Sequence, residues 1–278
     1  MNGPAQSTPN PTSESLTIEQ AIQNLQGEDL GLRFYAAWWL GKFRVVDPVA
    51  IRLLIEALKD EADRTPEGSY PLRRNAARAL GKLGDASAVA SLITCLDCTD
   101  FYVREAAAQS LEMLKDITCI PVLVRRLKQG LDLSSNSPQL VAQQPDMAEP
   151  YDSLLETLGT LKAQEAIDWI APFLEHPVER TQYAADRAMY QLTGDALYGN
   201  RLIAALGGKD LQLRRAALAD VGAIGYLPAA QAIANTLAEN SLKLISLKGL
   251  LEHQIDLESS GTLSEGAIQV MDLMDSLL

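Results

Sequence analysis

The sequence is poor in cysteine, histidine and aromatic residues, and each shortage excludes a class of site. Three cysteines and two histidines are too few for a zinc site built from two ligand pairs or for a disulfide framework. We predict that Cys95 and Cys98 are structural, because no thioredoxin-like βαβ pattern surrounds them. No nucleophile–base pair, P-loop or dinucleotide fingerprint is found, so no catalytic residue and no metal site is assigned.

Positive charge and long apolar runs are also scarce. The 278 residues include 24 Lys and Arg against 36 Asp and Glu, a net charge of −12. This balance argues against binding to nucleic acid or to an anionic membrane surface. No apolar run reaches about 18 residues, so we expect no membrane insertion. Residues 1–15 have no basic or apolar block and are predicted to be a disordered leader; with the odd cysteine count, this indicates a cytoplasmic protein.

An alanine-rich segment recurs along the chain. RFYAAWWLGKF at 33–43 aligns without gaps with RRNAARALGKL at 73–83, and further copies begin near Arg104 and Arg214. With two weaker copies included, the first positions of the units are Arg33, Arg73, Arg104, Tyr151, Arg180 and Arg214. A base period near 30 residues with insertions in two units indicates a repeat architecture.

Each repeat unit contains two helical segments. The first has apolar residues at helical spacing, as in DPVAIRLLIEAL, and the second is the alanine-rich segment, which often ends at glycine. No strand-like alternation is found. The pattern predicts an all-α protein, an α-solenoid of about six to seven helical hairpins that spans residues 16–260.

Two insertions and a tail interrupt or extend the repeats. Residues 60–71 lengthen the turn of the second unit. Residues 131–150, with three prolines, are predicted to form an inserted loop that either is mobile or contacts a partner. Residues 261–278 are predicted to form an amphipathic helix with one apolar face, made of Ala267, Val270, Met271, Met274 and Leu278. This helix either caps the last repeat or docks onto a partner protein.

The repeat alignment separates a core face from a second face of each alanine-rich helix. In the second unit the second face carries Arg74, Arg78 and Lys82, in the first unit Phe34, Trp38 and Lys42, and in the third Glu105, Gln109 and Met113. Tyr35 and Asn75 border this face. Aromatic residues of one unit therefore lie beside cations of the next.

This juxtaposition favours a flat, conjugated ligand that carries carboxylates, because rings stack on aromatics and arginine binds carboxylates in pairs of hydrogen bonds. Trp38 is either part of such a surface or a packing residue between repeats, and Trp39 aligns with Ala79 and is expected nearer the core. The arginines that begin the units, Arg33 among them, are expected to be structural as a set, since they recur in register.

DLGLRFYAAWWLGKFRV and YPLRRNAARALGKLGD resemble the E subunit of the heterodimeric E/F-type phycobilin lyases of cyanobacteria, over roughly residues 16–250. The resemblance implies HEAT-like repeats and an F-type partner subunit. It also implies phycocyanobilin as a bound substrate, with no prosthetic group. The pair would deliver the bilin to the phycocyanin α subunit, whose cysteine forms the thioether, so the lyase itself would need no nucleophile.

Under this resemblance, the tetrapyrrole would lie against Trp38 and Tyr35, and Arg74 and Arg78 would bind its propionates. The complete predicted set of bilin-binding residues is Arg33, Tyr35, Trp38, Trp39, Arg74, Asn75 and Arg78. An acid would assist by protonating the tetrapyrrole, but the sequence does not identify it. Three alternatives stay open: an isomerising lyase subunit for phycoerythrocyanin, a repeat scaffold without ligand, and a bilin-detaching factor in phycobilisome turnover.

Overall fold

A computed structural model describes residues 16–136, 149–256 and 263–278. The predicted leader, residues 1–15, lies outside the described residues. The first half of the described chain contains α1 Ile18–Gln26, α2 Leu30–Lys42, α3 Pro48–Ala57, α4 Pro71–Leu83, α5 Val89–Cys95, α6 Phe101–Leu114 and α7 Ile120–Asn136. The second half contains α8 Tyr151–Thr160, α9 Ile167–Ile170, α10 Glu179–Thr193, α11 Ala196–Ala205, α12 Leu211–Ile224, α13 Ala230–Asn235, α14 Asn240–Asp256 and α15 Glu265–Asp275.

The helices form seven consecutive hairpins, from α1/α2 to α13/α14. The second helices of the hairpins, α2, α4, α6, α8, α10, α12 and α14, pack side by side in chain order; we call them the second-helix layer. No strand occurs in the described ranges. The predicted all-α solenoid of six to seven units is thus confirmed, and α13/α14 is a seventh hairpin that the alignment of six units did not include.

Helix boundaries follow from residues at the ends of the repeats. Aspartates accept backbone N–H bonds at the starts of several helices, and these caps are Asp29, Asp47, Asp100, Asp195 and Asp210. Four second helices, α4, α6, α10 and α12, end at a residue in the left-handed region, for example Gly84 with φ 76° and Gly225 with φ 63°. The ends of these helices are therefore set by residues close in sequence, as the sequence pattern indicates.

Small residues bring neighbouring second helices close together. A Cβ on Gly41 would lie 2.7 Å from the Cα of Ala79, and a Cβ on Gly81 would lie 2.6 Å from Oγ of Ser110. Ser110 also donates a hydrogen bond of 2.8 Å to the carbonyl of Ala77 on the preceding second helix. The alanine-rich pattern thus permits close helix packing, with the paired alanines fully buried.

The structure changes the boundary of the predicted loop 131–150. Helix α7 continues to Asn136, so the first six residues of that range are helical. The physical reason is that Leu131 extends the apolar face of α7 and packs against the core. Residues 137–148 lie outside the described residues. At the far end of the range, Pro150 is buried and Glu149 forms an ion pair of 3.1 Å with Arg126.

The C-terminal helix α15 packs against α14 and α13, as the capping alternative requires. Ala267 and Val270 are fully buried, and Met274 is half-buried. The predicted apolar face is wrong at two positions, since Met271 and Leu278 are exposed. The buried strip is narrower than predicted because only one edge of the helix contacts the last hairpin.

Candidate functional site

The face predicted to bind a ligand lies on α2 and α4, at the start of the second-helix layer. We call it the N-terminal stripe; it comprises Phe34, Trp38, Lys42, Arg74, Arg78 and Lys82. All six point away from the core, and all except the half-buried Arg74 are exposed. The structure therefore places the predicted aromatic and cationic residues on adjacent helices, α2 and α4, which pack together.

Two aromatic rings of this region form a surface. The rings of Tyr35 and Trp38 are stacked, with centroids 5.5 Å apart and planes inclined by 29°. Their exposures are 46% and 43%, so both rings can accept a flat ligand. Trp39 is half-buried against the core, with its ring 4.9 Å from that of Phe43, and is mainly a packing residue.

The two stripe arginines have incomplete partners. Nη2 of Arg78 lies 3.5 Å from Oε2 of Glu105, and the Arg78 side chain is 44% exposed. The guanidinium of Arg74 lies 5.6 Å from the ring centroid of Tyr102, and its buried Nε has no hydrogen-bond partner among the described residues. Because an exposed ion pair is weak, a ligand carboxylate can compete with Glu105 for Arg78.

Glu105, on α6, is the acid that contacts Arg78 at this edge of the stripe. Burial raises the pKa of Glu105, the nearby Arg78 and Arg74 lower it, and Asp152 raises it again. The available signal was its repeat position, since Glu105 is the counterpart of Arg74 in the third unit. Glu105 therefore places a negative charge on α6 beside the arginines of α4.

Arg33 and Asn75 are engaged in contacts within the scaffold. Arg33 forms a 2.6 Å ion pair with Asp60 and donates to the carbonyl of Leu25 at 3.2 Å. The buried Asn75 donates to the carbonyl of Phe34 at 3.3 Å, which connects α4 to α2. Both residues position the helices that carry the stripe, and their assignment as direct bilin ligands stays a prediction.

The recurring arginines bind backbone carbonyls at the turn before each second helix. Arg104 donates to the carbonyl of Cys98, and Arg214 to that of Gly208, both at 2.7 Å. Gln182 makes the same contact with the carbonyl of His176 at 2.6 Å. Gln182, two residues further along, therefore occupies the first position of the fifth unit. The alignment that placed Arg180 there is wrong, because it matched residue type and not distance from the turn.

Further along the second-helix layer lies a buried group of charges that the sequence did not predict. We call it the central charge cluster; it comprises Glu112, Asp152, Glu156, Arg180, Arg187 and Asp220. Arg187 lies 2.5 Å from Glu112, 3.1 Å from Glu156 and 3.6 Å from Asp220. Arg180 also contacts Glu156, and it lies 2.7 Å from Asp220 and 3.5 Å from Asp152. The cluster joins α6, α8, α10 and α12.

The cluster contains four carboxylates and two guanidinium groups, so its acids are incompletely compensated. Burial, Asp220 and Glu112 together raise the pKa of Glu156 to about 7, although the two arginines oppose this shift. Burial likewise raises the pKa of Asp220. Glu156 could have been found from the repeats, since it shares the repeat position of Arg78. Arg187 shares that position only when the fifth unit begins at Gln182.

The described residues show neither a metal site nor a membrane-spanning helix. Within the described ranges, no three His, Cys, Asp or Glu residues are arranged to hold a metal ion. None of the helices described is both long and apolar enough to cross a bilayer. Burial raises the pKa of Cys95 to about 12 and that of Cys119 to about 11. Both are therefore protonated thiols at neutral pH, as expected of structural cysteines.

Two parts of the chain match families of helical repeats. Residues 32–60 match the family model described as PBS lyase HEAT-like repeat, and residues 64–133 match HEAT repeats. A phycocyanobilin lyase subunit alpha of Nostoc sp. strain PCC 7120 is 61% identical over 95% of this chain and 94% of its own length. This chain belongs to the phycocyanobilin lyase subunit alpha family. That membership confirms the resemblance read from the residues.

Further relatives and one solved structure support membership of the phycocyanobilin lyase subunit alpha family. A member from Pseudanabaena tenuis is 62% identical over 96% of this chain and 97% of its own. The bilin biosynthesis protein PecE of Mastigocladus laminosus is 43% identical over 87% of this chain and 83% of its own. The solved complex of CpcE and CpcF of phycocyanin lyase from Nostoc has a chain with a TM-score of 0.87, 58% identity and coverage of 99% of this chain and 100% of that one.

Proposed function

We propose that this chain binds phycocyanobilin and, with an F-type partner subunit, promotes its thioether attachment to a cysteine of the phycocyanin α subunit in the cytoplasm. The observation that carries the proposal is that the stacked, exposed rings of Tyr35 and Trp38 lie on α2, the helix that packs against α4, which carries Arg78. The names of the relatives support the substrate, and the CpcE and CpcF complex supports the partner.

In this proposal the tetrapyrrole stacks on Trp38 and Tyr35, and its propionates bind Arg78 and Arg74. Stacking buries apolar ring surface, and guanidinium–carboxylate hydrogen bonds fix the orientation. Binding of a propionate at Arg78 replaces its contact with Glu105, which is long at 3.5 Å and partly exposed and therefore costs little free energy to break. The partner subunit is expected to complete the site over this open stripe.

The chain acts by positioning, since the acceptor protein supplies the nucleophile. Cys95 and Cys119 are buried thiols with raised pKa values, so neither is poised to attack the bilin. Holding the ethylidene group of ring A against the acceptor thiol converts an encounter of separate molecules into a reaction within one complex. This effect alone accounts for a large part of the expected acceleration.

The test is reconstitution from four components: this chain, the F-type partner, phycocyanobilin and the apo-phycocyanin α subunit. The expected product is a red-fluorescent α subunit whose pigment stays attached under denaturing conditions, and omission of either lyase subunit should abolish it. Removal of bilin from loaded phycocyanin would instead identify a detaching factor, and no effect in either direction a scaffold. A product with a phycoviolobilin spectrum would identify the isomerising reaction.

A further inference from the structure

Glu105 lies where the cationic part of the N-terminal stripe meets the acidic middle of the second-helix layer. Its Oε2 is 3.5 Å from Nη2 of Arg78, and its side chain is 28% exposed. Arg74 and Arg78 on α4 and Asp152 on α8 are the charged groups that act on it from the neighbouring helices. The carboxyl group is thus half-buried and contacts a stripe cation.

We propose that Glu105 is the proton donor to the tetrapyrrole bound on the stripe, and that binding of a propionate to Arg78 loads Glu105 with its proton. This inference rests on the proposed function, because it assigns a role within the same bilin site. The proposed donor contacts the ligand through the exposed part of its side chain, while Arg78, released from Glu105, holds the carboxylate end of that ligand.

The coupling follows from the charges around Glu105. In the free protein, Arg78 and Arg74 favour the ionised carboxylate, whereas burial and Asp152 favour the protonated form. A propionate on Arg78 neutralises the closer cation and adds a negative charge of its own. Both changes favour protonation of Glu105, so bilin binding is accompanied by proton uptake. The acid becomes available when the pigment is in place.

The proton-transfer step balances without any redox partner. The proton of the Glu105 carboxyl group moves to a basic nitrogen of the tetrapyrrole, which makes the conjugated system more electrophilic. The acceptor sulfur then forms a bond to the ethylidene carbon, and the π electrons of that double bond move into the conjugated system. The thiol proton passes to the Glu105 carboxylate, which regenerates the donor.

Other acids of the layer are engaged elsewhere. Glu112 and Glu156 are held by Arg187 at 2.5 and 3.1 Å. Asp152 accepts a hydrogen bond of 2.8 Å from Thr181 on α10. Within the described residues, the acid that forms an ion pair with a cation of the stripe is Glu105. Contact with the proposed ligand-binding arginine therefore singles out Glu105.

The inference is tested with Glu105→Gln and Glu105→Asp in the complex with the F-type partner. Protonation shifts the long-wavelength band of a bilin to the red and strengthens it. We expect wild-type protein to bind phycocyanobilin with the protonated spectrum and with proton uptake measurable in weakly buffered solution. Glu105→Gln should bind within about threefold of wild type but lack both signals, and it should attach bilin about 100-fold more slowly. Glu105→Asp should restore part of the protonated band.

Glu156→Gln is the matched control, because it removes another half-buried acid of the second-helix layer, one that does not contact Arg78. Its bound bilin should keep the protonated spectrum. A protonated spectrum and proton uptake in Glu105→Gln, or their loss in Glu156→Gln alone, would overturn the role of Glu105. If wild-type complex binds no bilin, the proposed function fails instead, so the two failures are distinguishable.

Discussion

The start and the middle of the second-helix layer use the same repeat position in opposite ways. On α2 and α4 this position holds Trp38 and Arg78, which are both more than 40% exposed. On α8 and α10 it holds Glu156 and Arg187, whose side chains are only 13% and 11% exposed and contact each other at 3.1 Å. The same repeat position can therefore be exposed or can connect neighbouring helices, and the difference lies in the number of countercharges, since Arg78 contacts one acid and Arg187 contacts three.

The two regions also differ in what would happen if one residue were removed. In the central charge cluster, Arg187 contacts three acids on three other helices. At the stripe, Arg78 contacts one partly exposed acid. Removal of a buried charge leaves its partners uncompensated, whereas removal of an exposed charge does not. Substitutions at equivalent positions should therefore separate stability from binding.

The largest difference in stability is expected between substitutions of Arg187 and Arg78. Arg187→Met should lower the free energy of unfolding by about 3–5 kcal/mol, because it leaves Glu112, Glu156 and Asp220 buried beside one remaining guanidinium. Arg78→Met should change it by less than about 1 kcal/mol, since its ion pair is exposed. Urea denaturation followed by circular dichroism measures both. Equal losses in the two variants would show that the distinction between the regions is wrong.

A smaller effect is expected from pH, through Glu156. Its pKa is raised from the ordinary 4.5 to about 7 in the folded protein. The stabilisation from this group is complete below about pH 4.5 and is lost as the pH rises through 7. Relative to Glu156→Gln, the wild-type free energy of unfolding should fall by about 1–3 kcal/mol between pH 4.5 and 7.5. A parallel pH dependence of the two proteins would contradict the raised pKa.

The smallest effect concerns the aromatic surface. Trp38→Ala should weaken phycocyanobilin binding about tenfold, in line with the loss of one stacking contact of about 1.4 kcal/mol. Trp169→Ala is the control, because Trp169 is also exposed but lies on α9 with Lys128 4.1 Å above its ring. Absorbance titration of the bilin measures both affinities. Similar affinities for the two variants would remove Trp38 from the site.

Local features of the repeats were predictable, because each depends on residues close in sequence. The buried alanines, the exposed face with Trp38 and Arg78, and the positions of the hairpins follow from helical periodicity and helix-ending residues. The end of α7 was missed because Leu131 extends the apolar pattern into a proline-containing segment. The start of the fifth unit was misplaced by two residues because Arg180 imitates the recurring arginine.

The ion pairs of the central charge cluster could not be predicted, because they depend on packing between distant segments. Arg187 and Glu112 are 75 residues apart in the sequence but 2.5 Å apart in the fold. Which acid meets which arginine is set by the stacking of α6, α8, α10 and α12, and a single sequence with charges on many helix faces does not specify that pairing. The partner of Arg78 was unpredictable for the same reason, although Glu105 occupied a noted repeat position.

The most direct measurement is phycocyanobilin binding by a double charge reversal, Arg74→Glu with Arg78→Glu, in the complex with the F-type partner. The control is Arg125→Glu, since Arg125 is 52% exposed and also lies 3.5 Å from one acid, Asp97, but on α7. We predict that the double variant loses binding by at least about 100-fold while its helix content and partner binding are retained, and that the control binds normally. Unchanged bilin absorbance in the double variant would place the pigment elsewhere on the molecule.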